Sequence, residues 1–139
     1  MRVAVYVRVS TEEQKQHGIS LAMQEEQCRA AALRAGATSV EVFIDGGYSG
    51  TTLRRPALTE LRARAGEFST VYVWKLDRLS RSVKGFADLM TEFSDAGVGF
   101  ASVTEAVDYS GSAGRLMMHM LAAVAAFFAD LNRERVCAA

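Results

Sequence analysis

Apolar residues fall in two rhythms along this chain. Short unbroken runs at Arg2 to Val9, Val40 to Ile44, Val71 to Trp74 and Val98 to Val103 are rich in β-branched and aromatic residues and read as strands. Between them the spacing turns helical. Ser20 to Gly36 carries Leu21, Gln24, Cys28, Ala31 and Ala32 near one face. Pro56 sits at a favourable first helical position, followed by Leu58 and Leu61, with Gly66 as the stop. Val83 to Ala96 is a third helix, ended by Gly97, and a long apolar one runs from about Gly114 to Arg135. Ser10-Thr11-Glu12-Glu13 has the cap and acids of a helix start, interrupted by Gly18. Asp45 to Gly50, Lys75 to Ser82 and Thr104 to Ala113 read as loops, the last a mobile one.

Strands alternating with helices predict an α/β domain of three layers around a mainly parallel sheet. The last helix does not fit a self-contained monomer. Leu116, Met117, Met118, Met120, Leu121, Val124, Phe127, Phe128 and Leu131 spread over more than one face. A core helix is the plain reading, and a buried partner surface is the one favoured.

Composition narrows the class. The chain has 139 residues, the size of one domain, with 50% hydrophobic and 23% charged residues, a globular balance. Sixteen basic and sixteen acidic side chains cancel, so any case for nucleic acid rests on local clustering. Cys28 and Cys137 form neither a disulfide framework nor a metal spacing, which makes a reduced, cytoplasmic setting the expectation. Leu116 to Ala129 is interrupted by His119 and falls short of the ~20 residues of a membrane span. A soluble protein without a signal peptide is expected.

Three loops after strands share a chemistry. The first begins Arg8-Val9-Ser10, the second holds Tyr48-Ser49-Gly50 and Arg54-Arg55, and the third reads Lys75-Leu76-Asp77-Arg78-Leu79-Ser80-Arg81-Ser82. In a parallel sheet such loops meet beyond the carboxyl ends of the strands. Guanidinium groups suit phosphate oxygens, and positive charge around a hydroxyl favours its alkoxide and a pentavalent phosphoryl transition state. The pattern fits phosphoryl transfer to serine. Each piece alone has a plainer reading: Ser10 as an N-cap, Arg8 as a strand-end charge, Arg78 and Arg81 as a solvated pair with Asp77, and Gly46, Gly47 and Gly50 as turn glycines. The only histidines, His17 and His119, assemble no catalytic triad or metal cluster, so acyl and metal-assisted hydrolysis are not expected.

These residues resemble the serine recombinase family of resolvases, invertases and large serine integrases. The resemblance lies in VYVRVSTEEQ at 5–14, GISLAMQEEQC at 18–28, DGGYSGTTLRRPAL at 45–58, KLDRLSRS at 75–82 and GR at 114–115. The spacer before GISL and the TTLRRPAL style are more similar to the large integrases. The resemblance implies Ser10 as the nucleophile, leaving a 5′-phosphoserine and a free 3′-hydroxyl. It implies Arg8, Arg55, Arg78 and Arg81 as arginines of the scissile phosphate and Asp77 as the carboxylate of that site. Tyr6, Gln14, Gln24 and Ser49 would be supporting contacts, and Arg64 lies near a basic position of the small enzymes. It implies no metal or nucleotide cofactor, DNA as partner, and a homodimer that works as a tetramer.

Two departures bear on this expectation. Relatives carry an acidic–basic pair in the long helix, where this chain has Phe128 and Ala129 within Ala126-Phe127-Phe128-Ala129-Asp130. Relatives also continue into a DNA-binding domain after the segment that ends here near Arg135. The alternative expectation is a catalytically impaired remnant acting as an interaction module through its last helix.

Overall fold

The computed structural model describes residues 1–9, 20–46, 55–79, 83–105, 107–109 and 111–138. Strand β1 is Arg2–Val9, followed by helix α1 (Leu21–Arg34) and β2 (Ser39–Gly46). Helix α2 (Pro56–Ala63) and a 3₁₀ turn at Ala65–Glu67 lead into β3 (Thr70–Val73). A four-residue helix α3 (Leu76–Leu79) and α4 (Val83–Asp95) precede β4 (Gly99–Ser102), β5 (Val107–Tyr109) and α5 (Gly111–Ala138). The strands form one sheet in the order β2-β1-β3-β4-β5, parallel except for the β4–β5 pair.

Burial follows the pleat, whose side chains alternate between faces. From β1, Val3, Val5 and Val7 pack with Cys28 and Ala32 of α1. Ala4 and Tyr6 join the larger cluster with Leu58 and Leu61 of α2, Met90 and Phe93 of α4, and Met118 of α5. Burial pushes the Cys28 thiol up to about 12, leaving it an apolar packing group. Ser20 caps α1, its Oγ accepting from Met23 N–H at 3.0 Å.

Within two segments read as loops, described residues form regular structure. Residues 76–79 make a single helical turn, too short for periodicity to reveal. Val107–Tyr109 is an antiparallel edge strand, its three residues hidden in a polar stretch. The last helix also begins earlier, at Gly111 with φ 71°. Gly114 is required by close approach: a Cβ there would lie 2.2 Å from the Tyr109 carbonyl carbon. His119 shares a hydrogen bond with Ser94 of α4, so it is a packing residue on α5. By length and composition Gly111–Phe128 does reach what a membrane crossing needs, contrary to the shorter stretch counted from Leu116. The same helix is nonetheless docked on the domain through Met118 and Ala122. Leu116, Met120, Val124, Phe127 and Phe128 are each more than half exposed, which rules out the reading of α5 as a purely internal helix.

Candidate active site

The strand order turns between β1 and β3, since β2 lies to one side of β1 and β3 to the other. Beyond the carboxyl ends of strands at such a reversal, the flanking loops part and leave a crevice. Three guanidinium groups are brought there. Arg8 comes from the end of β1, Arg55 from the residue before α2, and Arg78 from α3. They are 0%, 6% and 3% exposed respectively. Burying a charge costs several kcal/mol unless it is compensated, so three together need an explanation.

Their hydrogen bonds supply part of it. Arg8 Nε donates to the Arg78 carbonyl at 3.1 Å, and Arg78 Nη1 donates to the Arg8 carbonyl at 3.2 Å. Arg55 Nη1 reaches the same Arg78 carbonyl at 3.4 Å. Gln24, buried on α1, clasps the end of β1. Its Oε1 accepts from Arg8 N–H at 3.4 Å and its Nε2 donates to the Arg8 carbonyl at 3.1 Å. Arg55 Nε is buried and has no hydrogen-bond acceptor among the described residues.

Asp45 is the one buried carboxylate among the described side chains. Its oxygens accept from Ala57 N–H at 2.9 Å, Leu58 N–H at 3.1 Å and the Tyr6 hydroxyl at 2.9 Å. It thereby caps α2 from another element, since Arg55 at the N-cap position offers no side-chain acceptor. Burial, opposed by Arg55 and reinforced by Asp45, pushes the Tyr6 phenol well above its ordinary range. Tyr6 is therefore a donor at neutral pH. Sequence reasoning missed Asp45 by ending β2 at Ile44. Asp45 is the register partner of Arg8 across the two strands, a pairing that no local pattern in the sequence marks.

The structure thus brings Tyr6, Arg8, Gln24, Arg55 and Arg78 together. Ser10, the next residue after Val9, lies outside the described residues, as do Gln14, Ser49 and Arg81. Asp77 lies on α3, with its side chain outside that description. Arg64 is not brought to this edge. It pairs with Glu41, Glu60 and Glu67 and lies over the rings of Phe43 and Phe68. Glu41 faces Ala4 in the register, four residues before the Arg8–Asp45 pair and so about 13 Å away along the strand.

Comparison with known proteins follows the same lines. The family model described as Resolvase, N terminal domain, matches residues 3–139. The serine recombinase gin of Escherichia phage Mu is 35% identical over 133 residues, covering 96% of this chain and 63% of that protein. The transposon Tn552 resolvase of Staphylococcus aureus is 36% identical over 132 residues, covering 94% and 61%. The solved N-terminal catalytic domain of TP901-1 integrase superposes with a TM-score of 0.79 at 34% identity, covering 95% of this chain and 99% of that one. The chain therefore spans about three fifths of the length of these curated relatives.

Proposed function

This chain belongs to the serine recombinase family, matching its resolvase N-terminal domain, and from that premise we propose that it is a catalytic domain that cuts and rejoins DNA through Ser10. The observation that carries the proposal is the buried trio of Arg8, Arg55 and Arg78, in which Arg8 and Arg55 both donate to the Arg78 carbonyl and Arg55 Nε has no acceptor among the described residues. Guanidinium groups gathered at the carboxyl ends of parallel strands suit an anion with several oxygens, and a phosphodiester is such an anion.

Ser10 Oγ gives up its proton and attacks the phosphorus in line with the 3′-oxygen. The Oγ–P bond forms, the P–O3′ bond breaks, and the leaving oxygen takes up a proton to become a 3′-hydroxyl. The 5′ end is left as a phosphoserine ester. Guanidinium groups held in place before reaction stabilise the charge of the pentavalent state at no reorganisation cost. Ligation is the reverse displacement by a 3′-hydroxyl, which needs no external energy because the ester keeps the phosphodiester's free energy. Asp77, Arg81, Gln14 and Ser49 belong to the same proposed site, with Tyr6 and Gln24 as its supports; Arg64 has the structural partners given above.

The proposed partners are DNA and further copies of the chain, in a dimer that works as a tetramer in the cytoplasm. The exposed apolar side of α5 supports self-association. The remnant reading is not favoured, because the buried arginine cluster is retained. The test is adduct formation on nicked duplex DNA, with the chain tethered to a DNA-binding module of known target. Wild type should form a covalent protein–DNA adduct and Ser10→Ala none; equal yields would refute the assignment.

A further inference from the structure

We propose that Glu105 is a positioning residue for the arginine cluster, holding the start of α3 and so fixing where Arg78 stands. This rests on the reading of the cluster as a phosphate site.

With four residues, α3 is far below the length at which a helix persists alone, so its place is set by its attachments. At its far end Arg78 is bound to Arg8 and, through its carbonyl, to Arg55. At its start, Leu76 N–H donates to Glu105 Oε1 at 3.1 Å. A carboxylate there satisfies one of the N–H groups that the helix cannot pair internally, and its charge complements the positive helix end.

Glu105 is itself held in place. Ser102 Oγ donates to the same oxygen, and Thr104 Oγ1 donates to Oε2 at 2.9 Å. Ser102 is the buried last residue of β4, so the attachment runs from the sheet through Glu105 into α3. Burial acts to raise the Glu105 carboxyl, but the bonds from Ser102, Thr104 and Leu76 N–H prevail, helped by Lys75, and hold it below its ordinary value. The anion therefore persists at neutral pH. Glu105 is exposed, so truncating it opens no core cavity. What is lost is the placement of a carbonyl that two arginines share. Sequence reading left this residue in a loop, and none of the motifs includes it.

The experiment compares wild type, Glu105→Ala, Glu105→Gln and Ser10→Ala in the full chain tethered to a DNA-binding module of known target. Three quantities are measured on nicked duplex: the first-order rate of adduct formation at saturating DNA, the apparent Kd, and Tm. Displacing a catalytic group by about 1 Å costs on the order of 100-fold, so Glu105→Ala should slow the rate roughly 10- to 100-fold. Its Kd should stay within about twofold, because the DNA-binding module, rather than this site, sets affinity. Glu105→Gln keeps an acceptor for Leu76 N–H and should recover most of the rate. A wild-type rate in Glu105→Ala overturns the proposal, and so does a Gln variant as slow as the Ala variant at unchanged Tm. If adducts survive Ser10→Ala, the reading of the site fails. If they vanish there while Glu105→Ala reacts normally, only the Glu105 role fails.

Discussion

Arg8 and Arg78, seventy residues apart in sequence, each donate a guanidinium hydrogen bond to the other's backbone carbonyl. The pair locks the end of β1 to α3 and commits part of each side chain to geometry. Lysine presents one ammonium where arginine presents a planar fork, and cannot reproduce the exchange. Arg8→Lys and Arg78→Lys should each cost about 1–2 kcal/mol in urea unfolding. The double variant should fall short of their sum by at least ~0.5 kcal/mol. Strict additivity would mean that the two residues act independently.

Arg55 should behave in the opposite way. Its Nε is buried without an acceptor among the described residues, and an unpaired buried donor offsets what the Nη1 bond to the Arg78 carbonyl contributes. Arg55→Met is expected to leave stability unchanged or raise it by up to roughly 2 kcal/mol. Inorganic phosphate should raise the wild-type Tm by occupying the cluster and should raise that of Arg55→Met much less. Calorimetry with and without phosphate checks both parts. A strongly destabilised Arg55→Met would make Arg55 a structural residue.

Asp45 joins β1, β2 and α2 through three accepted hydrogen bonds. In Asp45→Asn an amide group would face donors, at a cost of about 1–3 kcal/mol. Tyr6→Phe removes one of the same bonds and should cost about 1 kcal/mol. Denaturant midpoints for the single and double variants should show that the Tyr6 effect shrinks once Asp45 is changed.

A pH effect should arise at the opposite edge of the sheet. Hydrogen bonds from Arg64 hold the Glu41 and Glu67 carboxyls below their ordinary value of 4.5. A folded-state pKa below the unfolded one gives stability that is complete above the ordinary value and is lost as pH falls through the folded one. Urea midpoints should therefore drop between about pH 5 and pH 3. The Glu41→Gln, Glu67→Gln double variant should show a shallower drop, by a modest amount because both groups are solvent-accessible. Parallel profiles would mean that the ion pairs contribute nothing.

What the sequence reveals and what it hides have separate physical causes. Strand β1 is legible to the residue because Val3, Val5, Val7 and Val9 form a β-branched run buried throughout. The meeting of Arg8, Arg55 and Arg78 is legible because parallel strands send their carboxyl ends to one edge. By contrast, β5 shows no period in three residues, and α3 is a single turn held by side chains from elsewhere. Asp45 and Glu105 are hidden for a related reason. Both cap helices that are distant in sequence, and a cap supplied across the fold leaves no local pattern.

The claim that most needs a direct measurement is that the DNA ends up on residue 10. Adducts trapped on nicked duplex can be digested with protease and nuclease, and the modified residue located by tandem mass spectrometry. A phosphodeoxynucleotide on the Ser10 hydroxyl is the predicted result. Attachment at Ser49, Ser80, Ser82 or Tyr48 instead would contradict the account.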